Sequence, residues 1–426
     1  MEFQGHPEGP RIYNLFPLLA GPLPAWRPHL ERARRLGFNW IFVNPIQRPG
    51  ASGSLYSVSD YYALNPLLID PSSGPPDQQL RSMIEQVHEL GMKLMMDLVI
   101  NHTASDSPLV RQYPAWFRRN DSGEIIHPGA YANGEWISWI DLAAVDNAAS
   151  RDRENLWKYW LGIVRHYAAL GFDGFRCDAA YQVPADLWRF LISTGKQDYP
   201  QLMFFAETLG CTPEQTLEVA NAGFDFIFNS AKWWDYSAPW CLDQLRQTAP
   251  VVPSISFPES HDTERLAAEL DGHRDAVRQR YVFSALFSTG VMIPMGFEYG
   301  FRRRLHVVQS RPADWETPRW PTWDDTDFIR QVNDLKAGQR IWNEDVAFEL
   351  LDAGNQNVVA LIKTTRDGAQ RASILLNKDL QQAQSFHAPM IANHTEGGVS
   401  LAWPHGWEEN SLPPAGFQVL LLSEKS

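Results

Sequence analysis

GFDGFRCDAAY, residues 171–181, has the composition of a buried strand, yet Arg176 and Asp178 interrupt it two residues apart. Side chains alternate faces along a strand, so both charges point one way while Phe175 and Cys177 point the other. Charged groups rarely stay on a buried face unless they are paired or used. The stretch therefore holds either a structural ion pair or a reactive site.

Seven other apolar runs share its character: 11–19, 38–46, 93–100, 202–208, 224–229, 254–262 and 291–299. Each is short, rich in Ile, Val, Phe and Met, and closed by Gly, Pro or a polar residue, as strands are. Amphipathic stretches at 25–37, 78–91 and 153–171 lie between them and stop at glycine, a common helix end. Strand alternating with helix implies a parallel sheet. Eight such strands fit a closed (β/α)8 TIM barrel better than an open doubly wound sheet, and no GxGxxG follows the first strand.

The connection between Ile100 and Gly171 is abnormally long, and its part from Thr103 to Ala149 is rich in Asp, Ser, Gly, Pro and Trp. Such connections are usually functional excursions. After Ile341 the runs VVALIKTT, RASILLNK and GFQVLLLS read as antiparallel strands. The expected organisation is an α/β barrel over 1–102 and 150–344, a short inserted domain B over 103–149 after strand three, and a C-terminal antiparallel β domain over 345–426.

Bulk composition narrows the function classes. Of 426 residues 44% are hydrophobic and 12% aromatic, and the formal charge is −13 with no extended basic tract. That balance argues against nucleic acid or an anionic membrane as the main partner and suits a neutral substrate. The 17 tryptophans supply flat apolar faces for core or cleft. Three cysteines without close spacing give no disulfide framework or metal pattern. The N-terminal residues carry no signal-peptide pattern and no run is long enough to span a bilayer, so a cytoplasmic location is expected. Oligomeric state stays open.

In a barrel, polar residues at the C-terminal ends of strands build the site. Strand three ends at Asp97 to His102, strand four at Arg176 and Asp178, strand five at Glu207 and strand seven at Glu259 to Asp262. Converging carboxyls suit glycosidic cleavage, where one protonates the departing oxygen and another attacks the anomeric carbon or directs water. An arginine beside the nucleophile keeps it ionised. The plainer readings are a buried ion pair at Asp178, a solvated strand-end carboxylate at Glu207 or Asp262, and core histidines at His102 and His261. Asp97 reads as structural, holding Arg176 or Tyr56.

At these residues the chain resembles the α-amylase family of glycoside hydrolases and transglycosylases, over nearly its whole length. Asp97-Leu-Val-Ile-Asn-His102 is similar to the family's first conserved region and Gly174-Phe-Arg-Cys-Asp-Ala-Ala180 to its second. Ala206-Glu207 is similar to the third and His261-Asp262 to the fourth. The resemblance implies Asp178 as nucleophile, Glu207 as general acid/base and Asp262 as the carboxylate that binds sugar hydroxyls and steadies the transition state. It implies Tyr56, His102, Arg176 and His261 as substrate-binding residues, with Asp60-Tyr61 part of the tyrosine motif and Asp141-Leu142 closing domain B.

Two departures stand out. Ser260 replaces an asparagine before His-Asp, which bears on how that loop is held. Tyr181-Gln182 replaces the Lys-His pair with which many true α-amylases bind the leaving part of the glucan. The resulting expectation is retaining cleavage of α-glucosidic, chiefly α-1,4, bonds of maltooligosaccharides or α-glucans. Alternatives are maltosyl or glucosyl transfer, α-glucosidase action, trehalose-forming isomerisation and, in a different class, a non-catalytic glucan-binding relative. No cofactor is required. The resemblance leaves open a structural calcium at Asn101 and Asp141, two ligands where the ion wants six to eight oxygens. Trp136, Trp139, Trp233, Trp234, Tyr236 and Trp240 are candidates for stacking or packing.

Overall fold

The computed structural model describes residues 8–132, 135–233, 239–316, 323–387, 399–403 and 410–422. Of the stacking candidates, Trp234 and Tyr236 lie outside them. Eight parallel strands close a barrel: β1 (Arg11–Leu15), β2 (Trp40–Val43), β3 (Lys93–Leu98), β4 (Gly174–Cys177), β5 (Met203–Glu207), β6 (Phe226–Phe228), β7 (Ser254–Ser256) and β8 (Gly290–Pro294). All eight fall inside the runs read from sequence or within a residue of them. A helix follows each: α1 (Arg27–Arg35), α2 (Pro76–Glu89), α3 (Arg153–Leu170), α4 (Ala185–Asp198), α5 (Pro213–Ala220), α6 (Pro239–Thr248), α7 (Arg274–Phe287) and α8 (Thr326–Gly338). Among the described residues no helix is long and apolar enough to cross a membrane.

The chain packs as two compact units, one formed by 13–228 with 305–318 and the other by 1–12, 229–304 and 319–426. In the first, β4 sits between β3 and β5, with Arg176 opposite Asp97 on one side and Phe205 on the other. α3 buries Leu156, Trp160, Ile163, Val164 and Tyr167, the spacing of a helix with one apolar face. It ends at Gly171, whose φ of 111° is the left-handed stop that a side chain would resist. The 103–149 excursion leaves and returns on one ladder, His102–Ala104 antiparallel to Leu142–Ala144. Within it Gly129–Ala132 pairs with Glu135–Ser138 as a second ribbon.

The second unit holds β7, β8 and a five-stranded antiparallel sheet in the order β9 (Phe348–Leu351), β10 (Val358–Thr364), β11 (Arg371–Asn377), β13 (Phe417–Leu422), β12 (Val399–Trp403). The sequence runs foresaw β10, β11 and β13. β9 and β12 add edges. The sheet is tied to α7: Gln279 donates to the carbonyls of Asn377 and Gly416, and Lys363 donates to those of Leu286 and Phe287 at the helix end. Nearby Asp345 accepts from Ser254 and Thr289 at the starts of β7 and β8.

Candidate active site

Asp97 is fully buried in β3 and accepts hydrogen bonds on both carboxylate oxygens. Arg176 Nη1 donates to its Oδ1 at 2.6 Å and the Tyr56 hydroxyl to its Oδ2 at 2.7 Å. The same Nη1 donates to Asp178 Oδ1 at 2.7 Å, and Arg176 Nη2 lies 4.0 Å from Glu207 Oε2. One guanidinium thus serves three carboxylates on three adjacent strands. Its own pKa moves well above the ordinary arginine value: burial opposes the charge, but Asp97, the Tyr56 oxygen, Asp178 and Glu207 outweigh it. The expectation that Asp97 holds Arg176 or Tyr56 is met by both contacts.

A further layer lies behind Tyr56. Asn14 of β1 donates to Asn44 Oδ1 at 2.9 Å, and Asn44 donates to the Tyr56 hydroxyl at 2.9 Å. Sequence reading missed both asparagines. The signal available was an amide inside each of two apolar runs, where a polar group needs a partner.

Glu207 closes β5 and is held by backbone. Ala179 N–H donates to Oε2 and Leu209 N–H to Oε1, each at 2.9 Å. Ala179 reaches that carboxylate from the left-handed region, at φ 43° and ψ 46°. An L-residue with a Cβ is strained there, and such strain collects at functional sites. The residue directly after the candidate nucleophile therefore bends the chain so that its amide meets the candidate acid.

His102 opens the excursion. The residue is 4% exposed, and among the described residues its ring makes no side-chain hydrogen bond, while the Tyr56 backbone lies against it. Burial lowers its pKa, and the Asp178 charge and the Tyr56 backbone oppose that only in part, which favours the neutral ring. Unsatisfied buried imidazole is costly unless a ligand completes it.

Asn101, a calcium candidate, spends its amide on Gln182 Oε1 at 2.9 Å, and Gln182 donates to the Tyr181 hydroxyl at 3.2 Å. The backbone carbonyl of Asp141 accepts from Ser105 and Ser57. Among the described residues no group of three or more His, Cys, Asp or Glu side chains is arranged to hold a metal. A cleft of about 1310 Å³ opens beside these residues, lined by the ends of the β3, β4 and β5 loops and by the 117–149 excursion.

His261 and Asp262 belong to the other unit. There His261 Nε2 lies 3.1 Å from Asp262 Oδ2 and the Asp262 carboxyl is half-exposed. Ser260 does the holding that its position suggested: its Oγ accepts from Asp262 N–H, and its own N–H donates to Thr263. Arg304 donates to the Asp262 carbonyl at 2.6 Å. Glu259 is spent on structure, paired with buried Arg265 at 2.7 Å and accepting from Leu266 N–H; burial raises its pKa against the pull of Arg265. Trp233 and Trp240 are about half-exposed.

Comparison with known proteins agrees in direction. Residues 10–119 match the model of the glycogen debranching enzyme glucanotransferase domain. An α-1,4-glucan:maltose-1-phosphate maltosyltransferase of Burkholderia pseudomallei is 29% identical over 310 residues, 71% of this chain and 26% of that protein. One of Rhodospirillum rubrum is 25% identical over 431 residues, covering 91% of this chain and 61% of the relative. This chain thus spans less than two thirds of either relative. Among solved structures, the α-amylase from H. orenii superposes with a TM-score of 0.78 at 16% identity, covering 98% of this chain and 100% of that one. The α-amylase from Lactobacillus plantarum gives 0.76 at 19%, covering 97% and 99%. At such identities the structures speak for the fold.

Proposed function

We propose that this chain, which belongs to the α-amylase family, is a retaining enzyme that cleaves α-1,4-glucosidic linkages and passes the glycosyl unit to a second sugar. The observation that carries the reading is the Arg176 bridge, which fixes Asp178 at 2.7 Å and keeps Glu207 within 4.0 Å of the same cation. Asp178 attacks the anomeric carbon as Glu207 gives its proton to the departing oxygen, and a β-glycosyl ester forms. Glu207 then takes the proton of the incoming hydroxyl, which displaces Asp178. The two backbone amides each take one lone pair, one on either Glu207 oxygen, and each oxygen has a second that can carry that proton. His102 completes its hydrogen bonds on the sugar, and Tyr56, held by Asp97 and Asn44, presents its ring. Asp262 and His261 take their roles, binding hydroxyls and steadying the transition state, from the family resemblance.

Transfer is preferred over the plain hydrolysis first expected because the maltosyltransferase relatives and the absent Lys-His pair point the same way. Maltosyl transfer to an α-glucan is the specific form, with hydrolysis as the second reading. The chemistry runs on side chains without a cofactor, and a cytoplasmic setting fits three cysteines of which none is in a disulfide.

The test is incubation with maltooligosaccharides, with and without maltose 1-phosphate, following product lengths, reducing ends and phosphate together. Longer products stepping by two glucose units, with phosphate released from the donor, support maltosyl transfer. Rising reducing ends with only shorter products would replace it with hydrolysis. Near-wild-type turnover by both Asp178→Asn and Glu207→Gln would overturn the site itself.

A further inference from the structure

The 13–228 unit carries a group of tyrosines over helix α3 that the reaction above does not use. In the strand Val58–Leu64 side chains alternate, so Asp60 and Tyr62 face outward while Tyr61 between them is buried. Tyr62 lies on α3. Its ring meets those of Tyr159 at 6.2 Å and His166 at 5.0 Å, and a Cβ on Gly162 would stand 3.3 Å from its hydroxyl. Glycine in the middle of a helix is about 1 kcal/mol worse than alanine. Here its bare Cα gives room to the tip of Tyr62.

Tyr113 makes a second plate. It stacks flat on Trp116, with ring centres 4.0 Å apart and planes within 8°. Trp116 is itself held, since its indole N–H donates to Asp152 at 2.8 Å and its ring packs on Tyr159 at 5.3 Å. One face of Tyr113 is thus braced by a fixed ring, and the residue still exposes 42% of its surface. Tyr62 exposes 47%, and half-buried Tyr159 stands between the two. None of these rings lines the cleft beside the carboxylates.

The polar atoms of this surface are unspent. Among the described residues the hydroxyls of Tyr62, Tyr113 and Tyr159 have no hydrogen-bond partner. Burial raises the Tyr159 pKa, and Tyr62, Asp60 and Tyr113 raise it further, which sets all four groups around one patch. Asp60 accepts from the Tyr62 and Ala63 N–H groups on Oδ1, and Oδ2 takes no bond from a described residue. Aromatic faces among hydroxyls and a carboxylate match a pyranose, apolar on its C–H face and polar round its edge. A carboxylate among the rings speaks against a protein partner, because the cores of protein interfaces are poor in aspartate.

We infer that this surface is a second carbohydrate site, apart from the catalytic cleft, where Tyr62 and Tyr113 hold a polymeric α-glucan while the catalytic carboxylates act on another stretch of it. The choice of α-glucan rests on the proposed function; a sugar-binding surface rests on the patch alone.

Electrophoresis of the native protein through glycogen reads binding as retardation. In an Asp178→Asn background, with a short aryl α-maltoside saturating the cleft, retardation should persist. Adding Tyr62→Ala and Tyr113→Ala together should weaken the affinity for glycogen about tenfold or more, the loss of two stacks. The paired Phe replacements keep both ring faces and should keep most of it. In the otherwise wild-type enzyme the double Ala variant should raise KM for glycogen and leave kcat/KM on the aryl α-maltoside unchanged, which also reports correct folding. Should that variant fail on the aryl substrate, Tyr62→Ala alone, which leaves the Tyr113–Trp116 stack intact, carries the test with an expected loss of about threefold or more. Wild type that is not retarded, retardation abolished by the aryl α-maltoside, or glycogen affinity unchanged by the Ala replacements would overturn the site. Glycogen held through the two tyrosines by a protein that neither transfers nor hydrolyses would sink the proposed function and leave the site standing; a transferring enzyme whose glycogen KM ignores both tyrosines would do the reverse.

Discussion

Removing the Asp97 carboxylate should be among the costliest single changes in this protein. Asp97 is fully buried and Arg176 nearly so. Asp97→Ala deletes the acceptor for Arg176 at 2.6 Å and for Tyr56 at 2.7 Å, and leaves the cation leaning on Asp178. At an effective dielectric of about 20, opposite charges about 4 Å apart attract by about 4 kcal/mol, and breaking one side of a buried pair costs about 3–5 kcal/mol. The Tyr56 hydroxyl loses its acceptor for about 1 kcal/mol more. The expected total is about 4–6 kcal/mol for Ala. Asp97→Asn keeps an oxygen for Arg176 but points an amide donor at a hydroxyl that already accepts from Asn44, so about half that loss is expected. Urea unfolding at pH 7, read by tryptophan fluorescence, gives the free energies, and kcat/KM on an aryl α-maltoside should fall in the same order, Ala below Asn. A cost below about 1 kcal/mol for Asp97→Ala, the range of exposed surface pairs, would refute the account of Arg176 as a buried cation that needs both neighbours.

Other outcomes follow from single contacts. His102→Phe keeps the ring volume and gives up no side-chain hydrogen bond, only the contact with the Tyr56 backbone, so thermal stability should change little while kcat/KM falls about 100-fold, the scale of one lost active-site donor; equal kcat/KM would remove His102 from the substrate. Ala179→Gly relieves the left-handed strain and should stabilise by up to about 1 kcal/mol, whereas Ala179→Val should destabilise; a lower melting temperature for the glycine variant would contradict the strain. Burial lowers Lys363 to about 8 and holds Lys336 well below the usual lysine value too. Both folded-state values lie below the unfolded one, so between pH 8 and 10 the unfolded chain binds more protons and stability rises with pH. Lys363→Met should flatten that rise in urea midpoints, and a wild type that weakens from pH 8 to 10 would contradict the sign. Above pH 10 the buried Tyr61, Tyr167 and Tyr281, with pKa values raised by burial, reverse the trend.

The barrel was legible because its strands are short apolar runs closed by turn residues, and the alternation with helices fixes their direction. Arg176 and Asp178 were legible because charge inside such a run is rare. Other features left weaker traces. The left-handed turn at Ala179 occupies a position where glycine would have been the visible cue. The amides that grip Glu207 are backbone, which sequence does not distinguish. Asn14 sits in β1 and Asn44 just past the end of β2, and only the pairing of the barrel brings them to Tyr56. Strand β9 (Phe348–Leu351) has two exposed residues in its four, too few alternations to read as a strand. Lys336 and Lys363 look like surface residues by type, and their burial follows from the helix and sheet that cover them.

The shared guanidinium has a consequence for how charge moves in the proposed reaction. Before attack, Asp178 is the anion and Glu207 carries the proton. Once the ester forms, Asp178 is neutral and Glu207 is the anion. The total is unchanged: one negative charge has crossed from the Nη1 side of Arg176 to its Nη2 side. Asp97, fully buried and bonded on both oxygens, keeps its own charge throughout and balances the arginine. The cation therefore has no need to swing between carboxylates. It stands at a pivot with a fixed counter-charge behind it, and the second displacement begins from a site as electrically matched as the first.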